Sequence, residues 1–271
     1  MKKGLLILLC LPMIGFGQNV NIPDANFEMY IATLNIPQNG TPGLQFSEAA
    51  AYSGEMHCYG HNISDLTGIE AFTNLTVLNC SNNPLGQSLD LSANTALTTL
   101  RCHGTSITNL DISGATALTY LDCNYNNLTT LDVSQNTALN QLECRSNKLT
   151  SLDVSQNTAL TRLACHQNQL TSLDFRNGNN INVSAFKSSA NLYLTCINVD
   201  DSAWSTIQWT LIDAQQYFST NCNPSSIQEL NTNKELLKVT NLLGRETKGT
   251  KNEVLFYIYD DGTVEKRIVI E

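Results

Sequence analysis

The sequence predicts a β-rich solenoid of short parallel strands, closed in front by a helical cap and behind by a second cap, with a small β tail. Three observations predict it. A leucine- and cysteine-bearing segment recurs at a fixed period of 21 residues between Leu97 and Leu160. Within each copy apolar and polar residues alternate with period 2, the signature of a half-buried strand, with no 3.6-residue helical period. Composition also changes on both sides of the repeats.

The chain opens with Lys2 and Lys3, then an apolar run of 12 residues from Leu5 to Phe16, interrupted by Pro12. Gly15 and Gly17 are the small residues that precede a cut at Gly17–Gln18. This is the layout of a secretory signal peptide over residues 1–17. The run is too short to anchor, since a spanning helix needs roughly 20 apolar residues. No later stretch is longer, so no transmembrane anchor is expected in the mature chain. Cys10 follows Leu9, a poor fit to lipoprotein processing, and is expected to leave with the signal.

Residues 18–52 form the expected N-terminal cap. Asp24 is a good N-cap residue, and Phe27, Tyr30, Ile31 and Leu34 fall on one helical stripe.

Residues 53–176 hold the repeats. Leu97-TTLRC, Leu118-TYLDC, Leu139-NQLEC and Leu160-TRLAC align without gaps, with Leu75-TVLNC 22 residues before them. A degenerate first copy ends at Met56-His57-Cys58. Each copy has two halves, L-x-x-L-x-C-x-x-N as in Leu118 to Asn126 and L-T-x-L-D-V-S-x-N as in Leu128 to Asn136. Alternation sends Leu, Cys and Val to one side and the residue between them to the other. Asn and small residues then turn the chain. The result is a coil with two short strands per turn. A single coil buries too little to offset its ordering, and stacked coils share backbone hydrogen bonds and one core. Six coils at roughly 4.8 Å per strand give a solenoid about 30 Å long.

A second cap is expected over residues 177–222. Leu192-YLTC keeps the strand pattern but breaks the period, and Trp204, Trp209, Ile212 and Phe218 can plug the last coil. Cys196 and Cys222 are the two mature cysteines outside the ladder. Export permits a bridge between them; two separate buried thiols are the alternative. Residues 18–222 carry 16 acidic and 6 basic residues, whereas residues 223–271 carry 8 and 7. In that tail Asp261-Gly262 lies between two alternating runs and signals a hairpin.

The repeats resemble the 21-residue leucine-rich repeats common in secreted proteins of the Bacteroidetes, over about residues 53–175. Ile22-PDANFEMYIATL resembles the N-terminal caps of that family. There the next loop is often calcium-like, with several acidic ligands. Here, in Asn35-IPQNGTPGLQFSEA, Glu48 is the one carboxylate, too few for a calcium loop. The tail resembles the C-terminal sorting domains of type IX secretion, through Asn241-LLGRE, Phe256-YIYDDG and Val264-EKRIVIE. That resemblance implies Sec export, passage across the outer membrane through the type IX machinery, and removal of residues 223–271 on arrival.

The chemistry of the repeats reads mainly as structure. Cys58, Cys80, Cys102, Cys123, Cys144 and Cys165 replace an inward leucine; free cysteine is a good small core residue. Neither Cys-x-x-Cys pairs nor clustered histidines, as a zinc site would need, occur. His103 and His166 hold one repeat position three coils apart, about 14 Å, and read as surface residues. Asp90, Asp111, Asp132, Asp153 and Asp174 form an outward ladder in the second half-repeat. Like charges about 5 Å apart repel, so hydrogen bonds to neighbours such as Ser134 and Thr130 should offset them. Cation or basic-ligand binding along the stripe is the sharper alternative, and calorimetric titration with calcium distinguishes the two.

The most variable columns are Asn79, Arg101, Asp122, Glu143 and Ala164, and beside them Ser81, His103, Asn124, Arg145 and His166, with Tyr125 adjacent. Variation on a fixed scaffold builds binding faces in repeat proteins, and Arg and Tyr are frequent interface anchors. The net charge of −9, from 15 basic and 24 acidic residues, argues against nucleic acid and against docking on anionic lipid. No nucleophile elbow, H-E-x-x-H, P-loop or dinucleotide fingerprint occurs. No cofactor and no metal are therefore expected. The expectation is a secreted or cell-surface protein that recognises an extracellular protein or glycan in adhesion, without catalysis. A surface-layer spacer and a hydrolase built from exposed carboxylates are the alternatives.

Overall fold

The computed structural model describes residues 18–40, 42–222, 236–241, 244–247, 254–259 and 264–268. Residues 1–17, expected to be a signal peptide, and Asp261-Gly262, expected to form a turn, lie outside them. Two compact units are present, Met1–Cys222 and Asn223–Glu271.

In the first unit the inner half-repeats give β1 (Glu55–His57), β2 (Val77–Asn79), β4 (Thr99–Arg101), β6 (Tyr120–Asp122), β7 (Gln141–Glu143), β9 (Arg162–Ala164) and β11 (Ala185–Lys187). Among the described residues these form one parallel seven-stranded sheet in that order. Its register is unbroken: Met56, Leu78, Leu100, Leu121, Leu142, Leu163 and Phe186 pair in sequence along the stack. This central column is buried throughout. Each such side chain contributes about 2 kcal/mol relative to exposure.

The outer half-repeats give β3 (Ser88–Asp90), β5 (Asn109–Asp111), β8 (Ser151–Asp153), β10 (Ser172–Phe175), β12 (Cys196–Val199) and β13 (Tyr217–Ser219). They form a parallel pair, β3–β5, and a parallel four-stranded sheet, β13–β12–β10–β8. Residues 130–132 form no strand, which departs from the expected two strands per coil. Leu131 and Val133 are nevertheless buried, so the break lies in backbone pairing and not in packing.

Six thiols stack behind the seven-stranded sheet. Cys58, Cys80, Cys102, Cys123, Cys144 and Cys165 are unbridged and buried. Burial pushes the Cys58 and Cys165 thiols up to about 12 and the other four upward as well, so none supplies thiolate at neutral pH. Ser188 takes the next place, 23 residues after Cys165. Its buried hydroxyl is bonded to Gln216 Oε1 at 2.7 Å.

Asparagine does more than turn the chain. Asn83, Asn126, Asn147, Asn168 and Asn191 are buried at corresponding positions. In each, Nδ2 donates to the carbonyl of the cysteine-column residue in its own coil and in the coil before. Each Oδ1 accepts a backbone N–H from the preceding coil, from Ile63, Ile107, Leu128, Leu149 and Leu170 in turn. Thr105 interrupts the column; its hydroxyl donates to Cys102 O and to Asn126 Oδ1. A second ladder, Asn94, Asn136, Asn157 and Asn177, donates to carbonyls of the coil before.

The front cap contains two helices, not one. In α1 (Ala25–Ala32) Asp24 Oδ1 accepts from the N–H groups of Asn26 and Phe27, and Phe27, Tyr30 and Ile31 are buried. Asp24 Oδ2 accepts from Ser64 N and Oγ at 2.8 and 2.7 Å, tying the helix to the first coil. The stretch expected to be a loop forms α2 (Phe46–Ala51). Glu48 accounts for it: its Oε2 accepts from Gln45 N at 2.8 Å and its Oε1 from Asn39 N at 2.5 Å, so the carboxylate caps a helix start.

Behind, the strands continue past residue 176 as β11, β12 and β13, so the expected cap is partly solenoid with a lengthened period. A short helix, α3 (Ser202–Gln208), follows β12. Trp209 closes the end: it stacks on Phe186 at 4.4 Å and meets Phe175, Trp204 and Phe218 edge-on at 5.2, 5.7 and 5.6 Å. Ile212 packs against the same cluster, partly buried. Cys196 and Cys222 are disulfide-bonded, with Cα atoms 5.6 Å apart.

The second unit contains β14 (Leu236–Thr240), β15 (Val254–Tyr259) and β16 (Val264–Ile268), an antiparallel sheet in that order. Val254 to Ile258 pair antiparallel with Ile268 to Val264; the residues that join the two strands lie outside the described ones.

Asn147→Ala would leave Cys123 O, Cys144 O and Leu128 N without the amide they share. An unsatisfied buried group costs about 1–3 kcal/mol, so urea unfolding is expected to show a loss of about 3 kcal/mol or more. A loss under about 1 kcal/mol would remove the ladder from the account.

Candidate recognition face

Period-2 alternation places one outward residue on each side of every inward leucine. On the seven-stranded face the column after the leucine is His57, Asn79, Arg101, Asp122, Glu143, Ala164 and Lys187, and the column before it includes Thr99, Tyr120, Gln141 and Arg162. Neighbouring coils bond across this face. His103 Nδ1 lies 3.1 Å from Asp122 Oδ2. Asn124 Nδ2 donates to Glu143 Oε2 at 3.2 Å and Asn124 Oδ1 accepts from Arg145 N at 2.8 Å. Arg162 Nε stands 3.0 Å from Glu143 Oε1. The Arg101 guanidinium sits over the Tyr120 ring at 4.9 Å and that of Arg145 over Tyr125 at 4.6 Å, both in cation–π range.

The structure thus brings Arg101, His103, Asp122, Tyr125, Glu143, Arg145 and His166 onto one surface. Three of the variable positions are covered: Ser81, Asn124 and Ala164 are buried, Ser81 and Ala164 because their side chains are short, and Asn124 because it bonds Glu143 and Arg145 of the next coil. His103 and His166 are half-buried, not free on the surface. Burial, then the nearby Arg145 and Lys187 charges, lower the pKa of His166. Tyr120, Arg162 and Lys187 also belong to the face. Alternation alone marks Tyr120 and Arg162, through the column that precedes the leucine; Lys187 stands in the coil beyond residue 176, where the period changes.

The rim after each cysteine runs through a left-handed backbone position, occupied by Asn82, Gly104, Tyr125, Ser146 and Gln167 at φ 53–65°. A side chain there costs about 1–2 kcal/mol. Tyr125 holds it while 52% exposed, with the Arg145 guanidinium over its ring.

The aspartate ladder is on the opposite face. Asp90, Asp111, Asp132 and Asp153 each accept, through Oδ1, the N–H of the serine two residues on, at 2.8–2.9 Å. The offset to like-charge repulsion is therefore this local turn: Ser134, not Thr130, bonds Asp132. Asp174 instead accepts from Arg176, through backbone and guanidinium. The Ser113 and Ser134 N–H bonds hold the Asp111 and Asp132 carboxyls below the ordinary value, and the Arg176 side chain does so for Asp174; Asp111 opposes the shift at Asp132 as the smallest of its causes. Shallow clefts of about 290 Å³ lie on each side of Asp132, where the outer strand is missing. Among the described residues no three His, Cys, Asp or Glu side chains converge on a point that could hold a metal ion.

Residues 43–163 match the family described as the endo-beta-N-acetylglucosaminidase EndoS leucine-rich repeat domain. The coils are leucine-rich repeats. No curated protein matches the chain in sequence. Among solved structures, the functional domain of InlJ from Listeria monocytogenes, which includes a cysteine ladder, is 29% identical, with 66% of this chain and 56% of that one covered and a TM-score of 0.39. The internalin InlF of L. monocytogenes is 20% identical, with 73% and 71% covered and a TM-score of 0.48. The chain therefore spans little more than half of the InlJ chain it matches. No helix among the described residues is long and apolar enough to cross a membrane.

A folded-state pKa below the unfolded value gives stability that is present above the unfolded value, and it is lost as pH falls through the folded pKa. Carboxyl-carbon NMR is expected to place the Asp111 and Asp132 midpoints below about 3.9, with stability falling as pH drops through them. Midpoints at or above that value would show that repulsion along the ladder outweighs the serine bonds.

Proposed function

We propose that the leucine-rich repeats act as an extracellular recognition module, binding another macromolecule through the seven-stranded face and catalysing nothing themselves. One observation carries this. An unbroken sheet with an invariant interior displays a different outward residue in almost every coil, and these residues are held in place by contacts between coils. Preorganised polar and aromatic side chains lose little freedom on binding. Asp122 and Glu143 are held by His103, Asn124 and Arg162, a use that suits display better than acid–base chemistry. The ligand class, extracellular protein or glycan, follows from this reading and from the export signals, and a role in adhesion is part of the same proposal.

Export is proposed on the signal-like residues 1–17, the Cys196–Cys222 bond, which suits an oxidising compartment, and the resemblance of residues 223–271 to a type IX sorting domain. The source among the Bacteroidetes is proposed on the resemblance of the repeats, over about residues 53–175, to those of secreted proteins of that group.

Two measurements test these readings separately. In a surface-protein pulldown and glycan array with the purified protein, Tyr125→Ala with Arg145→Ala is expected to lower retention at least tenfold, and Asp132→Asn to leave it unchanged; the reverse pattern would move recognition to the aspartate face. In cells, deleting residues 223–271 is expected to abolish appearance of the protein outside the outer membrane. Normal secretion would refute the sorting role.

A further inference from the structure

Charge is segregated between the two faces. Residues 18–222 hold six basic side chains, Arg101, Arg145, Lys148, Arg162, Arg176 and Lys187. Four of them, Arg101, Arg145, Arg162 and Lys187, stand on or beside the seven-stranded sheet. The opposite face carries the five aspartates, and only Arg176 pairs with one of them among the described residues.

Along the seven-stranded face the signs are ordered. Asp122 and Glu143 are register partners. Toward β11 the surface then turns basic, with Arg145, Arg162 and Lys187 in three successive coils and neutral His166 between them, and Lys187 is the register partner of uncharged Ala164. Arg162 is engaged by Glu143. Arg145 and Lys187 have no carboxylate partner among the described residues, while Arg145 Nε, Arg162 Nε and His166 Nδ1 are all buried without a hydrogen-bond partner. Arg145 and Lys187, two coils apart, thus leave cationic charge without a carboxylate partner over about 10 Å, at roughly 4.8 Å per coil.

We propose that this end of the face binds a polypeptide segment bearing two acidic side chains, seated against Arg145, His166 and Lys187, with a basic side chain set against Asp122. The occupant follows from charge complementarity. A uniform polyanion would gain at Arg145 and Lys187 but would meet Asp122 and Glu143 within two coils and the field of a domain with ten excess negative charges over residues 18–222. A bipolar segment satisfies both halves. An extended peptide rises about 3.3 Å per residue, so acidic residues three positions apart, about 10 Å, match the two-coil separation of Arg145 and Lys187. The proposal rests on the seven-stranded face being the recognition face.

The test is selection of random 12-residue peptides displayed on phage against the full-length protein, followed by anisotropy with the recovered peptides and with heparin as a uniform polyanion. Recovered peptides are expected to carry two Asp or Glu three residues apart and a Lys or Arg to one side. Arg145→Glu with Lys187→Glu should weaken them at least tenfold, and peptides with those acids changed to Lys should regain binding to that variant, which also shows that it folds. Three results would overturn the proposal: recovery of neutral or apolar peptides, recovery of none, or tighter binding to heparin than to any peptide. Neutral peptides whose binding is lost on Tyr125→Ala would leave the recognition face standing and sink only its charge preference. Peptides indifferent to every substitution on the face would sink the recognition reading itself.

Discussion

The structure depends on how each coil holds the next away from water. Hydrophobic burial gathers leucines into a core but does not dictate which residue lies over which. Backbone groups in the turns, which have no strand partner, do. Every coil would otherwise bury the carbonyl of its cysteine-column residue and an N–H a few residues later, and unpaired buried amides are costly. One asparagine amide serves two carbonyls and one N–H, in two coils at once. A slip of one residue would break those bonds and turn each leucine outward. The exact stacking, and with it the order of side chains on the outer surface, follows from that constraint.

The two faces then diverge in use. On the inner sheet, strand pairing continues from β1 to β11 and side chains bond from coil to coil. On the outer side, each aspartate bonds within its own coil, four of them to a serine two residues on and Asp174 to Arg176, and strand pairing breaks at residues 130–132. Local bonds of that kind tie no aspartate to the next coil. The outer strands pair in two separate groups, β3–β5 and β8–β10–β12–β13, whereas the inner sheet joins residues from seven coils into one continuous array.

Much of this was legible in the sequence. The 21-residue spacing and period-2 alternation specify which leucines and cysteines face inward, and Asp24 with Phe27, Tyr30 and Ile31 specifies the cap helix, because these are local patterns with one physical solution. Three things were not legible. Asparagine in a turn reads as a residue that tolerates unusual backbone angles, and its bonds to another coil are visible only after stacking. Glu48 reads as a lone loop carboxylate until Gln45 and Asn39 are seen to donate to it. Ser81 and Asn124 stand in a column whose other members include Arg145 and His166, and only the room left by neighbouring coils decides which of them turns inward. The continuation past residue 176 was hidden by a change of period, since Ser188 replaces the expected thiol two residues late. Of the candidate face, alternation identified Arg101, Asp122 and Glu143; the contacts that fix them, and Lys187 at the far end, required the fold.

The most direct test of this account is native-state amide exchange followed residue by residue at increasing denaturant. The N–H groups of Ile107, Leu128, Leu149 and Leu170, each bonded to an asparagine of the next coil, are predicted to exchange only through one cooperative opening that matches the global unfolding free energy. If the same amides exchanged at unrelated, much lower free energies, coil by coil and independently of the asparagines, the ladder would not be what holds the solenoid in register.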